Sequence, residues 1–328
     1  MTTAIIYILA AIGAGVILLA IISAVRFVSL HFLHPKQPLE RYKRSSAEPA
    51  YALITGASAG IGFGIAKELA KHGFGVVILG HVQDELQAAK KALEVATPGA
   101  RVRVIVMDAI KATPVDMQDM IESLKDINLT ILVNNVGGSA VGPPPFRELM
   151  TYSAADVDVV INQNSRFMAL LTSLMIPVLS NSSSSPEDRS LILNLSSQGM
   201  AGVPFIVMYG ATKAFNHGFS VGLARELENS PNTRNVDCLA IIPGDVLSQG
   251  NSKGVAEAAP KADYFATQVV YTVDAAIRQR LRAVSPYWRH DVEWRLMGWL
   301  GEDIVSQEVV KVIGTKRDAW NAHCTKTE

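Results

Sequence analysis

Cysteine is almost absent from this chain of 328 residues, which contains only Cys238 and Cys324. The two are far apart and show no metal-ligand spacing, so the sequence predicts neither a disulfide framework nor a metal site. An excess of either charge is also missing, because 30 Lys and Arg residues balance 30 Asp and Glu residues. A chain without a basic excess has little attraction for a polyanion, which argues against a nucleic-acid partner.

Charged residues are missing from one long segment near the N-terminus. None occurs from Ile5 to Val25, and a helix of this length spans the roughly 30 Å hydrocarbon core of a bilayer. A cleaved signal peptide would have a basic start and a shorter apolar run, and this segment has neither. Basic residues follow it, so the positive-inside rule predicts a cytosolic domain. We expect residues 1–34 to form a single-pass membrane anchor, with a buried hairpin or an interfacial helix as the alternative.

The remaining length allows one large α/β domain but not two. After a polar, proline-containing linker over residues 35–50, apolar runs of strand length alternate with segments of helical periodicity. This alternation predicts a doubly wound parallel sheet of the Rossmann type over residues 51–285. A long helical segment within it is expected to kink or end near Pro177. Residues 286–328 are expected to form a helical extension that covers the substrate cleft, rests on the bilayer or only packs the last helix.

A glycine-rich motif, Thr-Gly-Ala-Ser-Ala-Gly-Ile-Gly, lies between the first predicted strand and the first predicted helix of the domain. Gly56 allows a tight exit from the strand, Gly60 lets the backbone approach a pyrophosphate, and Gly62 lets the helix pack closely on the strand. Ser58 and Ile61 complete the loop. The free N–H groups and the positive end of the helix dipole then face the anion. The motif in this setting predicts a dinucleotide-binding site.

The end of the second predicted strand bears on the choice of cofactor. NAD sites place a carboxylate there for the ribose 2′-hydroxyl, whereas NADP sites place a cation near the 2′-phosphate. Here His81 follows the strand, and the first acid is Asp84, which lies in the next helix. We therefore expect NADP, with His81 as a donor to the phosphate, while NAD stays open. Asp108, after the third strand, could accept a hydrogen bond from adenine or could cap a helix instead.

Tyr209 and Lys213 lie four residues apart in a predicted helix, so their side chains share one face. A lysine charge beside a phenol favours phenolate and lowers the tyrosine pKa. A tyrosine tuned in this way can exchange a proton with a carbonyl or alcohol oxygen. Ser196 and Ser197 end a strand at the edge where open parallel sheets bind ligands. A hydroxyl there could orient the substrate oxygen, or it could only cap a turn.

Asparagine side chains recur around the same predicted edge. Asn135, directly after another strand, could brace neighbouring strands and line the cofactor crevice. Asn162 and Asn164 lie inside the long apolar helix, where an amide is costly unless it is hydrogen-bonded. One of these two could hold a water molecule that links Lys213 to solvent.

Taken together, these motifs resemble those of the classical short-chain dehydrogenase/reductase family over residues 51–281. The matching pieces, in family order and spacing, are the glycine motif, Asn-Asn-Val-Gly from Asn134, the serine strand end, Tyr-Gly-Ala-Thr-Lys from Tyr209, and Pro-Gly-Asp-Val from Pro243. The segment that begins at Pro243 resembles the one that closes over the nicotinamide in the family. The resemblance implies that Val246 and Ser248 lie near the nicotinamide carboxamide.

The resemblance also implies catalytic roles. Tyr209 is implied as the acid/base, and Lys213 as its activator and as a ligand of the nicotinamide ribose. Matching from the strand end gives Ser197 as the residue that orients the carbonyl, whereas counting back thirteen residues from the tyrosine gives Ser196; we favour Ser197. Counting along the long helix gives Asn164 as the relay.

Within the family, the chain is similar to the membrane-bound 3-ketoacyl-CoA reductases and 17β-hydroxysteroid dehydrogenases of the endoplasmic reticulum. The N-terminal anchor, the Asn-Asn-Val-Gly variant and the Tyr-x-Ala-Thr-Lys motif carry this similarity. Two residues depart from that group. His81 stands where the group usually has arginine, and Gly210 replaces the commoner serine after the tyrosine.

This similarity implies an NADP-preferring carbonyl reductase or alcohol dehydrogenase in the endoplasmic reticulum membrane, with its catalytic domain in the cytosol. The expected substrate is an apolar, lipid-like ketone such as a 3-oxoacyl-CoA or a steroid, and a homodimer is a further expectation. Two other hypotheses stay open. The chain could be a reductase of specialised polyketide or terpenoid metabolism, or a catalytically silent membrane scaffold.

Overall fold

The computed structural model describes residues 2–44, 48–139, 141–142, 144–181 and 188–325. Its strands are β1 Ala50–Thr55, β2 Gly75–Gly80, β3 Val102–Val106, β4 Asn128–Asn134, β5 Ser190–Leu195, β6 Val236–Ile241 and β7 Ala283–Val284. They form one parallel sheet in the order β3-β2-β1-β4-β5-β6-β7. The predicted doubly wound parallel sheet is therefore confirmed.

Ten α-helices lie in the described ranges. They are α1 Thr2–His31, α2 Gly60–Lys71, α3 Gln83–Ala96, α4 Pro114–Glu122, α5 Ala154–Ile161, α6 Phe167–Asn181, α7 Val207–Asn229, α8 Ala262–Arg278, α9 Trp288–Met297 and α10 Glu302–Cys324. Successive residues of a strand point to opposite faces of the sheet. Because helices cover both faces of a doubly wound parallel sheet, the side chains on both faces are apolar. Accordingly, Ile54 packs with α2, α3 and α8 on one face, and Leu53 packs with α4, α6 and α7 on the other.

The long helical segment is irregular at a place that differs from the prediction. A π-helical turn over Asn162–Arg166 joins α5 to α6, whereas α6 continues through Pro177 to Asn181. Of the two predicted alternatives, the helix does not end at Pro177, whereas a kink there stays a prediction. The proline removes a single hydrogen bond near the helix end, and the buried side chains of Met175 and Leu179 hold this turn against the sheet. A π-turn inserts one residue into a helix and is often found at functional sites.

The N-terminal helix α1 is a candidate membrane span with a mean hydropathy of 2.9 over its most apolar window. Its last turn packs on the domain, where Leu30 and His31 are buried and His31 Nε2 lies 2.9 Å from an Asp291 carboxylate oxygen. The segment predicted as a linker also packs on the domain. Leu39 is buried and its N–H donates to Asp274 at 2.8 Å. The α/β domain thus packs directly against the end of α1.

Candidate active site

The candidate site lies at the carboxyl edge of the sheet, between β1 and β4. The chain moves outward from β1 to β2 and β3, then returns to β4 on the other side of β1. The loops after β1 and β4 therefore diverge, and open α/β sheets bind ligands in the crevice formed at such a switch point. The glycine motif follows β1, and Asn135 follows β4.

The glycine loop is shaped by two close constraints. Gly56 has φ +62°, a left-handed conformation that side chains with a Cβ rarely adopt. A Cβ at Gly62 would overlap both the Gly56 carbonyl oxygen and the amide of Asn135. That amide donates to the carbonyl oxygens of Thr55 and Gly56 at 3.0 and 2.9 Å, so it braces the loop against β4.

The first turn of α2 is open toward the crevice. Its N-cap residue is Ala59, and no side chain in the described ranges caps the helix. The first N–H groups of α2 are thus available to a pyrophosphate, and the helix dipole favours an anion there. Gly60, with φ +61°, lies beside Ser248, and a Cβ on Gly60 would be 3.6 Å from that of Ser248. Two predicted cofactor residues from distant parts of the chain are thereby brought together, and Ile61 follows within the same turn.

At the adenosine end of the crevice, the structure shows a carboxylate that the sequence analysis missed. The Ser58 hydroxyl donates to Glu85 Oε2 at 3.1 Å, so this acid of α3 reaches the glycine loop. His81 is exposed after β2. The Asp108 carboxylate accepts from the Ile110 N–H at 2.9 Å, so it caps the turn after β3. Helical periodicity carried no signal for Glu85, because its meeting with Ser58 depends on how α3 lies against α2.

The catalytic candidates converge at the end of β5. The Tyr209 side chain is hydrogen-bonded to that of Ser197. A Cβ on Gly199 would lie 3.4 Å from both the Ser197 oxygen and the Tyr209 ring, so Gly199 packs against both side chains. Ser196 points into the protein instead, where its hydroxyl donates to the Lys213 carbonyl at 2.7 Å. Of the two competing serines, only Ser197 therefore contacts the phenol.

Lys213 is buried beneath the same cluster. Its Nζ donates to the Leu195 carbonyl at 3.1 Å, and a Cβ at Gly137 would lie 2.8 Å from Nζ. No acidic side chain in the described part of the chain forms an ion pair with Lys213. Burial therefore lowers the pKa of Lys213 to about 8, because the charged form loses its hydration without a compensating anion.

The expectation that the lysine charge lowers the tyrosine pKa is not met in this structure. Burial raises the pKa of Tyr209, and the hydrogen bond to Ser197 offsets that rise only in part. Lys213 Nζ lies 5.6 Å from the centre of the Tyr209 ring. The loss of hydration therefore dominates, and the phenol is held in its protonated, proton-donating form.

Asn164 occupies the π-turn and holds the floor of the crevice. Its side-chain amide donates to the Gly138 carbonyl at 2.9 Å and to the Thr212 hydroxyl at 3.0 Å, and its oxygen accepts from the Gly138 N–H. Its main-chain carbonyl accepts from Asn216 at 3.0 Å. The side-chain amide thus joins the loop after β4 to the helix that carries Lys213, and the main-chain carbonyl of Asn164 contacts the same helix.

Close packing explains why residue 210 is glycine, where the membrane-bound reductases that the chain resembles more commonly have serine. A Cβ there would lie 2.9 Å from the Gly199 carbonyl oxygen and 3.3 Å from a Val203 methyl. The turn after Ser197 therefore packs directly on the start of α7. A serine at 210 would push apart the two elements that bring Ser197 and Tyr209 together.

The segment that begins at Pro243 follows β6 and is fixed by residues that sequence analysis did not select. Lys316 of α10 is buried, and its Nζ donates to Asp245 at 2.6 Å and to Asn251 at 2.9 Å. The Asn251 amide donates in turn to the Val246 carbonyl at 2.9 Å. The C-terminal helix thus holds the segment through one buried cation, a contact between residues about seventy positions apart.

His290 holds the same segment from the other side. Its Nδ1 accepts from the Gly244 N–H and its Nε2 donates to the Asp245 carbonyl, both at 3.1 Å. This pair of bonds requires the neutral ring with its proton on Nε2. Burial lowers the pKa of His290 to about 4, so the ring stays neutral near pH 7. The position of the segment around Val246 therefore depends on α9 as well as α10.

Comparisons with known proteins agree with this geometry. The model of the short chain dehydrogenase family matches residues 50–258. The chain is 29% identical to a very-long-chain 3-oxoacyl-CoA reductase of Kluyveromyces lactis, over 79% of this chain and 73% of that protein. It is 27% identical to a protein of the same name from Mycosarcoma maydis, over 95% of this chain and 89% of that one. A solved short-chain dehydrogenase from Sphingobium yanoikuyae, in complex with NADPH, has the same fold, with a TM-score of 0.61 and 23% identity over 80% of this chain and 95% of that one.

Replacing Lys316 with methionine tests whether α10 fixes the segment that begins at Pro243. The change leaves the Asp245 carboxylate without its buried cation, so we expect the segment from Val246 to Ala259 to open more often and to be cleaved about fivefold faster by a protease. Binding of a nicotinamide dinucleotide should weaken in parallel. Limited proteolysis with mass spectrometry and a dinucleotide titration measure the two effects. The control is Lys311→Met, which removes only an exposed pair with Glu308 at 3.9 Å. Equal cleavage of both variants would contradict this role of Lys316.

Proposed function

Because the chain belongs to the short chain dehydrogenase family, we propose that it is a membrane-anchored reductase of long-chain 3-oxoacyl-CoA. The observation that carries the proposal is the meeting of Tyr209 with Ser197 above the buried Lys213, at the crevice that the glycine loop borders. Two relatives named very-long-chain 3-oxoacyl-CoA reductase, which align with most of the chain, support the substrate class.

The residues of the crevice fit a nicotinamide dinucleotide. The uncapped first turn of α2 offers N–H donors for the pyrophosphate, and the glycine loop leaves no side chain in the way. Such a cofactor supplies the hydride when bound. In this proposal Gly56, Gly60, Ile61 and Gly62 surround the pyrophosphate, Asn135 supports them, and Val246 and Ser248 contact the nicotinamide end after Pro243. Asp108 lies on the adenine side.

The proposed chemistry assigns one task to each catalytic side chain. Ser197 donates a hydrogen bond to the substrate carbonyl oxygen and thereby orients it toward the phenol. Tyr209 then gives its proton to that oxygen as the hydride reaches the carbon. The ammonium group of Lys213 stabilises the phenolate that remains and binds ribose hydroxyls. Asn164 is a positioning residue that holds the loop after β4 and the helix that carries Lys213.

We propose NADPH as the reductant, with NADH as its competitor. The NADPH-bound dehydrogenase of Sphingobium yanoikuyae supports NADPH, and His81 is exposed where a 2′-phosphate would lie. Glu85 favours NADH instead, because its carboxylate beside Ser58 accepts a hydrogen bond from a ribose 2′-hydroxyl and repels a phosphate. The balance between these two residues sets the preference.

We also propose that residues 1–34 anchor the chain in the endoplasmic reticulum membrane, with residues 51–285 as a cytosolic catalytic domain and 286–328 as a C-terminal extension. The apolar helix α1 and the basic residues after it support this topology. The packing of Leu39 on the domain supports a fixed orientation of the crevice relative to the bilayer. A homodimer stays a prediction.

Tyr209→Phe tests the reductase directly. Loss of the phenolic proton should lower kcat about a thousandfold, since a positioned acid contributes on that order, while dinucleotide binding persists. NADPH consumption with a 3-oxoacyl-CoA in detergent measures the rate, and Tyr264→Phe, an exposed tyrosine, is the control. Ser197→Ala should also lower kcat strongly, whereas Ser196→Ala should act mainly on stability. A Tyr209→Phe enzyme as fast as the wild type would refute the proposal and favour the scaffold hypothesis.

The pH dependence of ketone reduction follows from Lys213. Because its pKa is lowered to about 8, the ammonium group is charged below that pH and neutral above it. Tyr209 stays protonated over this range, since its pKa is raised. Reduction should therefore fall as the pH rises through about 8. In Lys213→Arg the guanidinium stays charged to about pH 12, so any residual activity should lose this fall. A wild-type profile that is flat to pH 10 would contradict the assignment.

Glu85→Gln tests the cofactor preference. Removing a negative charge beside the proposed 2′-phosphate should raise the ratio of kcat/KM for NADPH over NADH by about tenfold, because like charges at close range oppose binding. Steady-state rates with both cofactors measure the ratio. The matched control is Asp84→Asn, the adjacent acid, which points in a different direction on the same helix. If both variants kept the wild-type ratio, Glu85 would have no part in the choice.

A further inference from the structure

A second cavity lies at the amino edge of the sheet, opposite the active-site crevice. It has a volume of about 350 Å³ and is bordered by the starts of β6 and β7 and by the end of α8. Six of its lining residues are arginines, and we call it the arginine pocket. They are Arg41, Arg189, Arg234, Arg278, Arg280 and Arg282. The cavity is large enough for a phosphorylated headgroup and lies in the size range of ligand sites.

The arginine pocket carries more positive charge than its own acids neutralise. Only Asp237 and Glu228 line it as carboxylates. Arg189 donates to Asp237 at 2.8 Å, and Arg282 pairs with Glu228.

Three more arginines of the pocket lack such a partner. In the described part of the chain, no ion pair or side-chain hydrogen bond involves the guanidinium groups of Arg234, Arg278 and Arg280. A pocket with several unpaired guanidinium groups favours an anion, and the planar fork of arginine matches phosphate oxygens.

The pocket lies where the proposed span leaves the bilayer. Arg26 is the first charged residue after the apolar run. Its guanidinium donates to the Gln279 carbonyl at 3.0 Å and to the Gln279 side chain at 3.3 Å, and the Gln279 amide donates back to the Arg26 carbonyl at 3.0 Å. Gln279 stands between the two pocket residues Arg278 and Arg280. The turn of α1 that directly follows the apolar run is therefore fixed beside the arginine pocket.

A neighbouring helix places the bilayer on the same side of the domain. Contacts join His31 to Asp291 at 2.9 Å and Phe27 to Arg295 at 5.9 Å, so α9 runs antiparallel to the end of α1. This antiparallel course directs the C-terminal end of α9 toward the apolar run of α1. Trp299 follows two residues after that end and is 90% exposed, and tryptophan is enriched at membrane–water interfaces.

From these contacts we propose that the arginine pocket binds the phosphate of an anionic phospholipid headgroup in the membrane that holds α1. The inference rests on the proposed membrane attachment. Its ligand is separate from the reductase substrate, because the pocket and Tyr209 lie at opposite ends of strands about 20 Å long. A bound headgroup would neutralise Arg278 and Arg280 and fix the domain on the membrane surface. Phosphate is the chemistry recognised, so a free phosphate is the competing source.

A titration of the full chain in neutral detergent tests this site. The probe is dihexanoylphosphatidic acid, compared with dihexanoylphosphatidylcholine and with inorganic phosphate. We expect phosphatidic acid to bind more tightly than both. In the double variant Arg278→Gln/Arg280→Gln its affinity should fall at least about tenfold, since charge-assisted hydrogen bonds are among the stronger ones. Arg101→Gln/Arg225→Gln, which removes two exposed arginines outside the pocket, should bind as the wild type does.

Each other outcome counts against the site as proposed. Equal loss in the two double variants would show a general charge effect, and equal binding of phosphatidylcholine would exclude recognition of the anion. If inorganic phosphate bound as tightly as phosphatidic acid, the proposal that the bound phosphate comes from a membrane lipid would be overturned. Ketone reduction by the pocket variants should be unchanged, so a failed titration leaves the reductase proposal intact. Alkaline extraction of membranes tests the anchor separately.

Discussion

Lys213 is a cation that the fold buries at the end of β5, and the catalytic edge is arranged around it. Its ammonium group has one carbonyl partner, that of Leu195, and Gly137 leaves just enough space above it. Because no carboxylate among the described residues forms an ion pair with this charge, burial lowers the pKa of Lys213 to about 8. Because few contacts stabilise the charged form of Lys213, an anion that forms nearby, such as the phenolate of Tyr209, would stabilise it.

The polar side chains beneath this cation explain why α5 and α6 are joined by a π-turn. The extra residue turns Asn164 toward the crevice, where its amide bonds to Gly138 and Thr212. Asn216 of α7 reaches back to the Asn164 carbonyl. These buried bonds tie the loop after β4 to the helix that carries Tyr209 and Lys213, and buried networks of this kind fix a single arrangement when every member is satisfied.

The helices at the carboxyl and amino edges of the sheet contact different parts of the chain. At the carboxyl edge, α9 and α10 hold the segment after Pro243 through His290 and Lys316. At the amino edge, Gln279 contacts α1 at Arg26, and Asp291 of α9 contacts the last turn of α1 at His31. Because α9 takes part in both sets of contacts, the same short helix fixes the segment after Pro243 and the end of α1.

The sequence by itself determined the doubly wound sheet, the glycine loop, the pairing of Tyr209 with Lys213 and the apolar N-terminal helix. Each of these is encoded locally, by periodicity or by a short motif next to a strand. Tertiary structure alone decided that Ser197 rather than Ser196 meets the phenol, that Glu85 reaches the glycine loop, and that Lys316 holds Asp245. Such contacts join residues far apart in the chain, and their distances depend on how helices pack on the sheet. No local pattern records that packing.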